Sequence, residues 1–265
     1  MLFRKRERFE RTDVWSYDPK YNYLAIGVLV VVFVAFGILI ASLWAKASKP
    51  IGLGDSNLTA AVKTQTSAAA PNGYTFSGDK FTNVLVLTVD DVAAAKPALK
   101  KASILAIDTT ARSATAANLP LDTKVVNGEA STTLESLYAN QGASACVAPL
   151  ATAANLRMTH VVVSTDDVWT KIASLKGAGL SAILGSSADL LAQINTDMGI
   201  GELLDLAEQV QSIGVSTFKH IDAPVNSEDN GSGGTWSVID QNNLGAQLGL
   251  LVPNESQQQE DESGE

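Results

Sequence analysis

An uninterrupted apolar run near the start of the chain constrains its architecture more than any other feature. Residues 24–44 read LAIGVLVVVFVAFGILIASLW and contain no charged side chain. As an α-helix the run would span roughly 31 Å, the thickness of a bilayer core. Tyr21, Tyr23 and Trp44 flank it, as interfacial aromatic residues do. The apolar part of a cleaved signal peptide is shorter, about 7–15 residues, so the run predicts a retained transmembrane signal-anchor.

The charges on either side of this run indicate its orientation. Residues 1–23 carry six basic and four acidic side chains, whereas only Lys46 and Lys49 closely follow the run. The positive-inside rule therefore predicts a single-pass cell-membrane protein with a cytoplasmic N-terminus and an extracellular C-terminal domain. The formal net charge of the whole chain is −9, so we do not expect it to bind nucleic acid.

Composition divides the expected extracellular part into three segments. Residues 45–81 are rich in small and polar residues and read as a stalk. They contain Gly-Asp-Ser-Asn-Leu (54–58), a block found at hydrolase serines, but no strand pattern precedes it and no Asp-x-x-His follows. Residues 82–252 carry regular patterns and are expected to fold as a domain without their flanks. Residues 253–265 form an acidic tail that we expect to be disordered.

Strand and helix patterns alternate within residues 82–252. The strand patterns occupy residues 83–91, 102–110, 113–120, 159–165, 215–224 and 234–240, and the helix patterns occupy residues 130–142, 143–157, 166–177, 201–213 and 241–252. This alternation predicts an α/β fold with a mixed central β-sheet flanked by helices. The single cysteine, Cys146, cannot form an internal disulfide and is expected to be a small buried residue.

Several segments of the domain occur in an order that resembles a known family. They include TNVLVLTVDD (82–91), ASILAID (102–108), NLPLDTKVV (118–126) and ESLYANQGASA (135–145). With the basic tail and single anchor, they resemble the LytR-CpsA-Psr (LCP) family of mainly Gram-positive bacteria. Members are membrane-anchored and transfer wall glycopolymers from a polyprenyl-pyrophosphate carrier to peptidoglycan. The resemblance implies a role in cell-envelope assembly, Mg²⁺ as cofactor, and a polyprenyl-linked glycopolymer, peptidoglycan or envelope proteins as partners.

The resemblance also suggests where a site would lie. The candidate residues are charged and stand near the ends of predicted strands: metal ligands Asp90 and Asp91, substrate-binding Lys100 and Lys101, and catalytic Asp122 and Arg112. Each also has a structural interpretation. The first two aspartates can cap a strand, the lysines can belong to a solvated loop, Asp122 can stabilise its proline turn, and Arg112 can be a surface charge.

Three departures from the family pattern predict impaired catalysis. The Arg-x-Asp-Thr motif of the family is replaced by Lys100-Lys101-Ala102-Ser103, and its Pro-Arg-Asp-Thr turn has become Pro120-Leu121-Asp122-Thr123. Residues 178–194, where the family has several arginines, contain none. Pyrophosphate is held by guanidinium groups and a bridging divalent cation, so these losses remove groups that phosphoryl transfer requires.

Three hypotheses follow for the function. The first is a divergent, catalytically impaired LCP-like protein that binds a polyprenyl-linked glycopolymer or a protein partner. The second is an active glycopolymer phosphotransferase that uses Asp90, Lys100, Arg112 and Asp122. The third is a tethered structural module without a ligand. A basic cluster at the mouth of an apolar groove would favour the second hypothesis over the first.

Overall fold

The computed structural model describes residues 52–166, 193–214 and 217–254. The predicted cytoplasmic tail (1–23), the predicted transmembrane helix (24–44), almost all of the predicted helix 166–177 and most of the acidic tail lie outside these residues. No helix among the described residues is long and apolar enough to span a membrane.

The described residues contain thirteen β-strands and five α-helices. The strands are β1 (Gly52–Leu53), β2 (Tyr74–Phe76), β3 (Phe81–Val89), β4 (Leu99–Asp108), β5 (Ser113–Leu119), β6 (Lys124–Asn127), β7 (Ala130–Thr133), β8 (His160–Thr165), β9 (Ile194–Thr196), β10 (Lys219–Asp222), β11 (Val225–Asp229), β12 (Thr235–Ile239) and β13 (Leu251–Pro253). The helices are α1 (Ser56–Lys63), α2 (Leu134–Gln141), α3 (Ala143–Ala154), α4 (Ile200–Ile213) and α5 (Gln241–Gln247).

Seven strands form a central sheet in the order β1-β9-β8-β3-β4-β5-β10. The pairs β1/β9, β8/β3 and β5/β10 are parallel, whereas β9/β8, β3/β4 and β4/β5 are antiparallel. The predicted mixed α/β fold is therefore confirmed for the described residues. Three two-stranded sheets, β11/β12, β13/β2 and β6/β7, complete the set of described strands.

Apolar clusters pack against both faces of the central sheet around β3. On one face, Leu85 and Leu87 of β3 belong to a core cluster that includes Leu58 of α1, Leu134 of α2 and Leu150 of α3. On the opposite face, a smaller cluster combines residues of β3, β8 and β9 with Met198 and with Leu203 and Leu206 of α4. Because β3 is buried on both faces, its sequence is an apolar run without polar alternation.

Three predicted helices are shorter in the structure than their sequence patterns, and the pattern 143–157 ends as a helix at Ala154. The pattern 130–142 begins as β7, which pairs with β6 across a turn at Gly128, a residue with φ of +65°. Helix α2 starts only after Thr133, whose hydroxyl accepts a hydrogen bond from the Ser136 N–H at 3.1 Å. Within the pattern 241–252, the helix stops at Gln247. Gly249 then turns the chain so that β13 can pair with β2.

The structure also corrects the expected stalk at residues 45–81. Residues 52–63 of this segment supply β1 and α1, and Leu58 is only 2% exposed within the main core. Asp55, of the Gly-Asp-Ser-Asn-Leu block, caps α1 by accepting the N–H groups of Asn57 and Leu58. These residues are therefore part of the folded domain, and the block marks the start of a helix.

Candidate functional site

One end of the central sheet collects most of the predicted site residues. β3 and β8 end side by side there, since Val89 pairs with Thr165, and β4 begins opposite β3 at Leu99. β5 ends at the same place, because Leu119 pairs with Ala102. We call this region the Asp90 end of the sheet; it comprises Asp90, Asp91, Lys100, Lys101 and the turn 120–123.

Asp90 closes the turn between β3 and β4. Its carboxylate Oδ1 accepts the N–H groups of Ala98 and Asp91, each at 2.8 Å. The hydrogen bond from Ala98, then that from Asp91, and more weakly the charge of Lys100, hold the pKa of this exposed carboxyl below its usual value. Asp91 similarly accepts the N–H of Ala93 at 2.9 Å. Both predicted metal ligands are thus engaged in turn geometry through one oxygen.

The two predicted substrate-binding lysines differ in their surroundings. Lys101 Nζ lies 3.1 Å from each carboxylate oxygen of Asp166, and both side chains are well exposed. Lys100 is close enough to Asp90 for its charge to affect that carboxyl. Both ammonium groups therefore face carboxylates at the Asp90 end.

The turn that contains Asp122 is fastened to its surroundings by backbone contacts. The Thr123 hydroxyl donates to the Pro120 carbonyl at 2.6 Å, and the Leu121 carbonyl accepts the Glu135 N–H at 3.0 Å. The Asp122 carboxylate accepts the Ser237 hydroxyl at 3.0 Å. Leu121 is half-buried and packs against the main core. Its side chain therefore serves packing, whereas the resemblance expects an arginine there.

Arg112 does not join the other predicted site residues. It lies in the turn between β4 and β5 with φ of +54°, next to the pair Phe81–Asp108 at the beginning of β3. β3 contains nine residues, so this turn is roughly 26 Å from the Asp90 end. Arg112 and Asp122 therefore stand at opposite ends of the sheet in this structure.

Among the described residues, no three His, Cys, Asp or Glu side chains form a group that could hold a metal ion. Asp90 and Asp91 supply two neighbouring carboxylates, each with one oxygen already bonded to a backbone N–H. Mg²⁺ is often held by one or two carboxylates together with substrate phosphates. Asp90 and Asp91 therefore fit Mg²⁺ only as one or two carboxylate ligands that share the ion with substrate phosphates.

Solved structures with a similar fold include gbs0355 from Streptococcus agalactiae, with a TM-score of 0.52, 9% identity, and coverage of 66% of this chain and 90% of that one. TagT bound to LIIa-WTA has a TM-score of 0.48 at 14% identity, and the alignment covers 69% of this chain and 97% of that one. B. subtilis TagV has a TM-score of 0.47 at 11% identity, and the alignment covers 65% of this chain and 96% of that one. No protein-family model matches the chain, and no curated protein matches it significantly. The chain shares the fold of gbs0355 over the aligned residues. At these identities the likeness concerns the fold alone.

Sequence reasoning missed Tyr138, a residue near the Asp90 end, and its neighbourhood with Cys146. Tyr138 of α2 and Cys146 of α3 are buried in the main core. Burial raises the pKa of each side chain to about 12, and the charges of Cys146 and Asp90 contribute to the shift at Tyr138. The sequence indicated burial of Cys146, whereas for Tyr138 only its place on an apolar helix face could have done so. Nothing in the sequence links either of them to Asp90.

A second missed feature is a row of hydrogen-bonded polar side chains on neighbouring strands. The Ser103 hydroxyl of β4 donates to Asn118 Oδ1 of β5 at 3.1 Å, and Asn118 Nδ2 donates to the Asp222 carboxylate of β10 at 3.3 Å. We call these three residues the polar row. It lies near the Asp90 end, because Ser103 and Asn118 are each one residue from the Ala102–Leu119 pair. Hydroxyl, amide and carboxylate groups suit ligands that carry many hydroxyls.

Proposed function

We propose that this LCP-like chain is a cell-envelope assembly protein that binds a polyprenyl-linked glycopolymer without transferring it. In this proposal it is a single-pass protein of the cell membrane with a cytoplasmic N-terminus and an extracellular domain. Peptidoglycan and envelope proteins are the proposed neighbours. The observation that carries the proposal is that no arginine stands at the Asp90 end among the residues the structure describes, combined with the packing of Leu121 against the core.

The position of the arginines supports this proposal. Arg112 and Arg157 are the only arginines after residue 11. Arg112 lies near the beginning of β3, and Arg157 precedes β8, whose first residue pairs with Val84 of β3. Both therefore stand at the end of the sheet remote from Asp90. Pyrophosphate binding and transition-state stabilisation rely on guanidinium contacts of the kind that this end lacks.

The lysines compensate only in part. Lys101 is already paired with Asp166, and Lys100 lies beside Asp90. A lysine offers a point charge and cannot provide the bidentate contact of an arginine. With Mg²⁺ between a pyrophosphate and the carboxylates of Asp90 and Asp91, the Asp90 end would retain a ligand weakly. It would still lack the donors that neutralise charge in the transition state.

The polar row supports a carbohydrate as the bound part of the ligand. Its three side chains are on adjacent strands and present both donors and acceptors near the Asp90 end. Sugar hydroxyls can form hydrogen bonds with such groups without needing a compensating charge. Binding at the row therefore does not depend on the arginines whose absence argues against transfer.

The test separates binding from turnover in the full-length protein in lipid nanodiscs. The ligand is a fluorescent polyprenyl pyrophosphate carrying a short glycan, with Mg²⁺ present. We expect saturable binding of this ligand. Chromatography of the reaction mixture should detect no released polyprenyl phosphate. Leu121→Arg alone should not restore release, because each missing contact to the transferring phosphate can cost on the order of 10³-fold in rate. Asn118→Ala should weaken binding, whereas Asp79→Asn, at the beginning of β3, should not.

Other outcomes would favour the remaining hypotheses. Robust Mg²⁺-dependent turnover by the wild type, lost in Asp90→Ala, would contradict the proposal and support an active phosphotransferase built on Asp90, Lys100 and Asp122. Neither binding nor turnover would indicate a tethered structural module without a ligand. Binding unaffected by Asn118→Ala would place the ligand away from the polar row.

A further inference from the structure

A concavity lies at the opposite end of the sheet from Asp90. Its volume is about 330 Å³, and it opens between the β2/β13 pair and the segment that follows α3. Its lining includes Ser67, Phe76, Asn83, Arg157 and Leu251. Asn83 precedes Asp90 by seven residues along β3, which places the two roughly 23 Å apart. We call this concavity the Asn83 pocket.

Reciprocal hydrogen bonds hold one wall of the Asn83 pocket in place. The Gln65 side chain donates to the Met158 carbonyl at 2.9 Å and accepts the Met158 N–H at 2.7 Å. The Asn155 side chain donates to the Ala69 carbonyl at 2.8 Å and accepts the Ala69 N–H at 3.3 Å. The segment after α1 is thus fastened to the segment after α3. A wall held in this way loses little further freedom when a ligand binds.

The Asn83 side chain is buried and only half satisfied. It is 8% exposed, and its Nδ2 donates to the Arg157 carbonyl at 3.0 Å. That contact fixes the orientation of the amide, because the reverse orientation would set two acceptors against each other. Oδ1 is buried without a hydrogen-bond partner. A buried acceptor without a protein donor is unusual in a folded protein.

Two further groups add charge and apolar surface. Arg157 is exposed, and its guanidinium forms no ion pair with the residues that the structure describes. Phe76 is 47% exposed, which is high for a large apolar side chain, while Leu251 beside it is only 5% exposed. The Asn83 pocket therefore presents a cation and an aromatic surface to a ligand, and an unpaired acceptor lies buried in its wall.

We propose that the Asn83 pocket binds a small amphipathic carboxylate that also carries a hydroxyl or amine donor. The carboxylate pairs with the Arg157 guanidinium, a planar fork that matches a carboxylate in bidentate geometry. The donor reaches Asn83 Oδ1 once a small shift of the amide exposes this buried oxygen, and the apolar body lies on Phe76. The pocket is independent of the glycopolymer-binding surface proposed at the Asp90 end, so either proposal can fail without the other.

Three matched small molecules test these contacts in the full-length protein in nanodiscs. The reference is 3-(4-hydroxyphenyl)propanoate; its methyl ester lacks the charge, and 3-phenylpropanoate lacks the hydroxyl donor. Equilibrium dialysis measures the affinity of each, with empty nanodiscs subtracted. We expect the ester to bind about tenfold more weakly than the acid, and 3-phenylpropanoate about fivefold more weakly. The comparison of ligands needs no variant that could fail to fold.

Two arginine variants provide the matched control. Arg157→Gln should lower the affinity for the reference acid about tenfold and leave the ester unaffected. Arg112→Gln makes the same change in charge at the same end of the sheet but outside the pocket lining, so it should have no effect. Absence of binding by the wild type, equal affinity for acid and ester, or equal losses in the two variants would overturn the proposal.

Discussion

Cys146 shows how burial decides the chemistry of a single residue. The thiol is fully enclosed in the main core, and its Sγ contacts the Gly142 carbonyl at 3.5 Å. Burial raises the pKa of this thiol to about 12 from an ordinary value of 9.0. The thiolate is the nucleophilic form of cysteine, so Cys146 is inert in the folded protein at neutral pH. The sequence-based prediction of a small buried residue is confirmed.

We predict that part of the stability of the domain is lost in alkali through this residue. A pKa that is higher in the folded than in the unfolded state contributes stability that is present below pH 9.0 and lost as the pH rises towards about 12. Urea unfolding at intervals from pH 8 to 11.5 measures this decline. Cys146→Ala should lower stability at pH 8 because of the cavity, and its decline towards pH 11.5 should be shallower.

Tyr138→Phe provides a second variant for the same window. The pKa of the Tyr138 hydroxyl is also raised to about 12, from 10.0. Removal of this hydroxyl should therefore flatten only the upper part of the curve of stability against pH. Identical pH slopes for the wild type and both variants would contradict the prediction.

At the candidate site, the sequence predicted chain positions better than side-chain roles. The ends of strands bring Asp90, Lys100 and Asp122 together, as runs of apolar residues allowed us to expect. The sequence could not show that Lys101 pairs with Asp166, which is 65 residues away. It also could not show that Arg112 lies at the opposite end of the sheet from Asp90, because this depends on the β4/β5 hairpin and its register.

At the scale of elements, α1 is the clearest case in which local pattern was insufficient. The helix has eight residues, of which only Leu58 is buried. One leucine and one valine among small and polar residues resemble a linker, and isolated helices of this length are unstable in water. The helix is held by packing against the core and by the Asp55 cap.

We therefore predict that Leu58→Ala lowers the free energy of unfolding by about 2–5 kcal/mol, since it opens a cavity in the main core. Asp55→Ala should cost about 1 kcal/mol through loss of the cap. Asn57→Ala is the matched control, because this side chain is exposed on the same helix. Urea denaturation followed by circular dichroism gives all three values. A Leu58→Ala loss no larger than that of Asn57→Ala would contradict the packing of α1.

At the scale of the whole molecule, alternation of apolar runs was enough to predict the mixed sheet but not its edge. β1 pairs with β9 through Gly52–Asn195 and Leu53–Thr196, contacts between distant parts of the chain. β13 likewise pairs with β2, which lies in the segment that the sequence suggested was a stalk. Such pairings are specified by tertiary packing, so periodicity within a short window cannot reveal where the domain begins.

The last prediction concerns that boundary. A fragment of residues 82–252 would lack β1, α1 and β2, so it would expose the core surface beneath Leu58 and leave β13 unpaired. It would also lose the Gln65 contacts with Met158. We expect a fragment of residues 52–254 to unfold in one cooperative transition, and the shorter fragment to unfold at lower urea concentration and to bind more of a hydrophobic dye. Circular dichroism and dye fluorescence on both fragments measure this. Equal midpoints would show that residues 52–81 are dispensable and that the original boundary at residue 82 holds.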